Sequence, residues 1–133
     1  MAKVEAIVGR ALRLIGVVDP RQPVQAIDMQ TGMTALNAMV RRWEANGLSL
    51  GWSDVSAPDE DMPCPPEAEE AIAYNLAAKL APEYGEQPSP MVMGAAISGM
   101  SDLRVDVAVA NPMSPDSGVL GYGYDTRSDT WVR

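Results

Sequence analysis

Apolar residues recur at helical spacing in four stretches of the chain. The clearest is Glu67–Gly85, EAEEAIAYNLAAKLAPEYG, where Ile72, Leu76 and Leu80 fall at i, i+4 and i+8. Ala73, Ala77 and Ala81 form a second stripe beside it, small enough to let another helix approach closely. Pro66 stands near the first helical position, Glu67, Glu69 and Glu70 crowd the positive end of the helix dipole, and Lys79 stands near the other end. Pro82 limits continuation, and Gly85 supplies a left-handed stop. Asn75, a polar residue between the apolar stripes, reads as a satisfied structural hydrogen bonder.

Three further helices follow from the same pattern. Val4, Ile7, Val8, Ala11, Leu12 and Ile15 predict a first helix from about Ala2 to Ile15. Met29, Met33, Leu36, Val40 and Trp43 alternate steps of four and three and predict a second, from Val24 or Gln25 to Ala45, with Gly47 as its stop. At 1.5 Å per residue it is about 30 Å long. Gly32 within it weakens the helix by ~1 kcal/mol relative to Ala, and points to close packing. A fourth helix is expected from Pro90 to about Ala108, with Ser89 as N-cap. Met93, Ile97, Met100 and Val107 form its row of larger residues, with Leu103 nearby, while Gly94, Ala95, Ala96 and Gly99 make the other side small. Such a helix needs packing from neighbours, including other subunits.

Between the second and third helices the period changes to two. Leu48, Leu50 and Trp52 alternate with Ser49, Gly51 and Ser53, which predicts a short strand. Met62–Cys64 is its expected partner in a small β-hairpin across the loop Asp54–Asp61. The loop carries Asp54, Asp59, Glu60 and Asp61. It lacks the alternating oxygen ligands, central Gly and terminal Glu of a calcium loop, so it reads as solvated or as a surface facing DNA or a partner. After Asn111 helical periodicity ends. The segment is rich in Pro, Ser, Gly and Asp yet holds Tyr122, Tyr124 and Trp131, three of the chain's seven aromatics. Aromatics on an extended segment suit an arm that orders on a partner. The expected architecture is mainly α: a four-helix bundle over residues 1–108, the hairpin between helices 2 and 3, and an extended C-terminal arm over 109–133.

Composition narrows the chemistry. The 133 residues include no His and one Cys, Cys64. That excludes Ser-His-Asp and Cys-His catalysis, an intramolecular disulfide and a Cys-based zinc site. No cofactor or metal is expected. No apolar run approaches the ~20 residues of a membrane span, and the amphipathic N-terminus reads as a helix rather than a signal peptide, so the chain is expected in the cytoplasm. The net charge of −8 is uneven: +2 over residues 1–46, −8 over 47–90 and −2 over 91–133. An acidic middle opposes wrapping nucleic acid, which rests on neutralising phosphates.

Two stretches also carry a resemblance. TALNAMVRRWEANGLSLGW (Leu36, Asn37, Trp43, Gly47 and Leu48) and AIAYNLAAKLAPEYG followed by Ser89-Pro90 are similar to the head-to-tail adaptors of short-tailed bacteriophages, also called connectors or tail accessory factors. The likeness covers roughly residues 4–108. It implies a structural virion protein at the head–tail junction, first made in the host cytoplasm. Neighbouring copies would form a ring of about twelve beneath the portal. The ring would extend the DNA channel, retain packaged DNA without reading its sequence and present a platform to a distal component, a nozzle or tail tube. The C-terminal arm, with Tyr122, Tyr124 and Trp131, would dock on the portal protein. An acidic loop facing the lumen, with Asp54, Asp59, Glu60 and Asp61, would repel DNA phosphates and let the genome slide. The competing readings are a cell-wall hydrolase working through paired carboxylates, which needs no His, and a helical nucleic-acid-binding domain using Arg10, Arg13, Arg41 and Arg42, which the acidic balance opposes.

Overall fold

The computed structural model describes residues 2–110, 123–125 and 130–132. Its helices follow the apolar pattern: α1 (Val4–Leu14), α2 (Ala26–Ala45), α3 (Glu69–Leu80) and α4 (Pro90–Ala110). The five seam residues of α2 are all buried, and so are the six apolar positions of α1 and its end. Helix α3 is the post of the assembly. It packs against α1, α2 and α4, and Ile72, Leu76, Leu80, Ala73, Ala77 and Ala81 have no exposed surface. Burial of each Ile or Leu side chain among them contributes about 1.5–3 kcal/mol.

The ends of α3 differ from one continuous helix. The turns Pro66–Ala68 and Ala81–Tyr84 are 3-10, and Pro stands in the first turn of each. Gly85 then takes a φ of 71°, the left-handed stop expected of it. The hydroxyl of Tyr84 donates to Asp28 Oδ1 at 2.9 Å and ties this end to the start of α2. At the other end, Glu69 Oε1 accepts the Ala2 N–H at 3.1 Å and holds the chain's N-terminal segment against α3. Ser89 caps α4 by accepting the Val92 N–H at 3.3 Å.

The expected hairpin between α2 and α3 is absent: neither 48–53 nor 62–64 forms a strand. Two causes are visible. Gly51 takes a φ of 73°, which breaks an extended run. The intended partner is also taken elsewhere: Met62 N–H donates to the Ala2 carbonyl at 3.0 Å, Val4 N–H donates to the Glu60 carbonyl at 2.9 Å, and Lys3 and Asp61 form an isolated antiparallel bridge. Leu48 and Leu50 still point inward. Among the described residues the strands are β1 (Gly123–Asp125) and β2 (Thr130–Val132), an antiparallel pair within the C-terminal segment.

Close helix approach explains two of the glycines. A Cβ on Gly32 would collide with the Val8 side chain, so this glycine lets α2 lie against α1. A Cβ on Gly99 would stand 2.8 Å from Ala71 Cβ and 3.1 Å from its Cα, so α4 meets α3 nearly backbone to backbone. Asn75 bridges the same pair, donating to the carbonyls of Ala71 at 2.8 Å and Ala96 at 3.0 Å. It is the structural hydrogen bonder expected from the sequence. The facing of α4 is the expected one only in its second half, where Leu103 is buried and Met100 and Val107 pack against the core. Its buried row is Val92, Ala96 and Leu103, whereas Ile97 is 68% exposed and Met93 38%.

The glycines therefore separate by context. Gly32→Ala and Gly99→Ala should lower unfolding stability by about 1–3 kcal/mol through overpacking. Gly94→Ala, whose Cβ meets nothing within 4 Å, should raise it by up to about 1 kcal/mol through helix propensity. Urea unfolding of the three variants measures both signs.

Candidate functional site

The acidic loop after α2 is held by α2 itself. Asn37, Arg41 and Glu44 are spaced by four and three, so they share one helical stripe. Asn37 pairs with the backbone of Val55 in both directions: its Nδ2 donates to the Val55 carbonyl at 2.9 Å, and its Oδ1 accepts the Val55 N–H at 3.0 Å. Glu44 Oε1 accepts the N–H groups of Leu50 and Trp52, each at 3.0 Å. Arg41 Nε donates to Asp54 Oδ1 at 2.8 Å, and its Nη2 reaches Asp54 Oδ2. Segment 50–55 thus satisfies its backbone on side chains of α2 instead of on a second strand.

The loop carboxylates have separate tasks. The hydrogen bond from Arg41, with its charge, holds the Asp54 carboxyl below the ordinary carboxylate range. The Lys3 ammonium stands 2.8 Å from Asp61 and does the same there. Glu60 Oε1 accepts the Ser56 hydroxyl at 2.7 Å and the N–H groups of Ser56 and Ala57 at 3.2 and 3.1 Å. These bonds, that from the Ser56 side chain foremost, also lower its pKa. Asp59 is exposed, and among the described residues it has no hydrogen-bond or ion-pair partner. With Lys3 and Arg41 beside them, the four carboxylates leave two uncompensated charges rather than four.

A second acidic feature comes from residues far apart in the chain. Glu67, Glu70, Asp102 and Asp106 line a groove of about 260 Å³ between α3 and α4, with Ala71, Ala95 and Gly99 among its walls. Arg10 lies 5.3 Å from the Tyr74 ring centroid and 3.5 Å from Glu70. The four carboxylates face solvent. The sequence did not bring these groups together, because their juxtaposition depends on how α4 is rotated against α3.

Cys64 is buried, and burial, with the Glu69 charge, pushes its thiol up to about 11, so it is a protonated, inert group at neutral pH. Among the described residues, no three His, Cys, Asp or Glu side chains are grouped to hold a metal ion, including those of the acidic loop. No helix among them is long and apolar enough to cross a membrane. Of the expected docking residues, Tyr122 lies outside the described residues. Tyr124 and Trp131 are register partners in the β1–β2 pair.

The weight that Asn37 carries is measurable. Asn37→Ala leaves both backbone groups of Val55, a residue only 4% exposed, without their partner. The expected loss is about 1–3 kcal/mol, together with faster amide exchange at Val55. Unchanged exchange there would mean that the loop is held by other contacts.

A comparison with curated proteins finds no match. The family described as the P22 tail accessory factor matches the chain over residues 1–126. The match takes in all four helices, the α2-held loop and the α3–α4 groove. The chain therefore belongs to the P22 tail accessory factor family, and its role is that of a structural component of the bacteriophage virion.

Proposed function

We propose that copies of this chain assemble into a ring, a dodecamer, beneath the portal of a filled phage head. The ring extends the DNA channel, retains packaged DNA and presents a platform to a distal tail component, a nozzle or tail tube. DNA passes through the lumen without sequence-specific contact, and the role involves no catalysis and no cofactor. Residues 1–108 form the helical adaptor domain, and 109–133 form an arm that docks on the portal protein through Tyr122, Tyr124 and Trp131. The observation that carries this reading is the face α4 shows to solvent. In a member of a tail accessory factor family, Met91, Ile97, Val105 and Val109 are each more than half exposed. Four large apolar side chains left in solvent on a single helix suit contact with a partner. The site of action is the head–tail junction, after synthesis in the host cytoplasm.

The mass of the protein, alone and mixed with portal protein, tests the ring. The mixture should contain a ring-sized species. Truncation after Asn111 should leave the helical domain folded by circular dichroism and abolish portal binding. Undiminished binding by the truncated chain would sink the docking arm.

The lumen reading narrows to one residue. Glu60 and Asp61 hold the loop together, so substituting them disturbs its fold as well as its charge. Asp59 makes no hydrogen bond or ion pair among the described residues, so Asp59→Lys changes the loop's charge with the least disturbance of its fold. If the loop lines the channel, phage carrying this substitution in every subunit should eject DNA more slowly. Ejection at the parental rate would count against a lumen-facing loop.

A further inference from the structure

Helix α4 has an open face bordered by charge. Pro90–Ser101 contains no charged residue, and Met91, Ile97, Val105 and Val109 are 85, 68, 59 and 74% exposed. Met91, Ser98, Asp102, Val105 and Val109 follow one another at steps of seven, four, three and four, so they lie along one line of the helix. That line borders the groove against α3, where Asp102 and Asp106 face Glu67 and Glu70. Asp102 lies on that line and Asp106 beside it, so this flank of α3 presents the exposed apolar residues Met91, Val105 and Val109 interspersed with carboxylates.

The opposite flank has the opposite character. Lys79 follows Glu70 by nine residues, two and a half helical turns, which places it on the other side of α3. There Lys79 and Arg42 line a groove of about 210 Å³ between α2 and α3, with Glu83 as its one carboxylate and Ala35 and Ala38 among its walls. Arg42 and Lys79 are exposed, and among the described residues neither has an ion-pair partner. This flank is basic and partly lined by small side chains, which suits receiving the side chains of a helix.

We infer that the α4 flank of one copy packs against the α2–α3 flank of the next, with Asp102 and Asp106 meeting Arg42 and Lys79. This assignment rests on the ring reading above and names the surfaces that build it. Two different surfaces of one chain are complementary, so the contact is head to tail. Every copy added leaves one flank of each kind free, the arrangement that propagates and closes into a ring when the rotation per copy allows. Pairing like flanks would instead bring acid against acid or base against base, a juxtaposition that costs several kcal/mol. Met91, Val105 and Val109 supply apolar contact, and the carboxylates among and beside them set partner and direction.

A charge swap tests the pairing. One variant carries Asp102→Arg and Asp106→Arg; the other carries Arg42→Glu and Lys79→Glu. All four positions are exposed, and circular dichroism of each variant should match the parent; the corresponding single-site pair, Asp102→Arg and Arg42→Glu, serves if either double variant does not. Native mass measurement in the presence of portal protein then reads assembly. Each variant alone should lose the ring, with association weakened at least ~10-fold. Mixing the two should restore rings in which they alternate, because every junction is again acid against base. Rings from each variant alone, or failure of the mixture to recover them, would overturn the pairing while parental rings leave the ring reading standing. Absence of a ring from the parent protein would overturn the ring reading and this inference with it.

Discussion

The rest of the structure depends on the burial of α3 among its three neighbours. Its large stripe fills the space between helices, and its alanines permit their approach. The contact with α4 is the tightest consequence. Gly99 lies against Ala71, and Asn75 spans to the Ala96 carbonyl, so one narrow strip fixes the rotation of α4. A half-buried amide whose donor already serves two carbonyls tolerates little rotation. That strip also decides what α4 leaves outside. With Val92, Ala96 and Leu103 turned inward, Ile97, Val105 and Val109 must face solvent. The open face is thus a product of the core, and a helix so poor in charge keeps it only at the cost of exposed apolar area.

The loop between α2 and α3 rests on a different principle. It buries a few side chains, among them Leu50 and Val55, and obtains its order from hydrogen bonds to Asn37, Glu44 and Arg41. Its far end is fastened to the chain's N-terminal segment through Lys3, Val4 and Ala2. A loop secured at both ends by side-chain contacts offers few mobile charges. What it shows outward is Asp59, and the remaining carboxylates work within the fold.

How much of this the sequence displayed depended on whether the deciding partner was local. Helices α1, α2 and α3 have an apolar stripe beside polar positions, and periodicity alone named their cores. Gly85 and Ser89 act at their own positions in the chain, so they too were legible. Helix α4 is small or apolar on nearly every side. A period exists only by contrast, and with little polar face to set it, the larger residues Met93 and Ile97 looked like core when the small residues Ala96, which is buried, and Gly99, which fits against Ala71, face inward. The hairpin failed for a related reason. Alternation in Leu48–Ser53 was real, but a strand needs a partner, and Met62 had been claimed by Ala2, sixty residues away. The pairings of Asp54 with Arg41 and Asp61 with Lys3 are equally non-local.

The same distinction changes what the acidity of the chain means. A charge of −8 over residues 47–90 suggests one diffuse repelling surface. In the fold it divides. Part is spent on internal anchors: Asp54 and Asp61 on their cations, Glu60 on loop backbone and Glu69 on the Ala2 N–H. Glu67 and Glu70 instead join Asp102 and Asp106 from α4, beside apolar surface and across α3 from Arg42 and Lys79. Repulsion of DNA needs carboxylates in the open, whereas recognition of another protein needs them fixed beside something to bury. The α3–α4 flank meets the second requirement, and the loop meets the first at Asp59. Glu67, Glu70, Asp102 and Asp106 thus stand together beside exposed apolar side chains, whereas Asp59 stands alone on the loop.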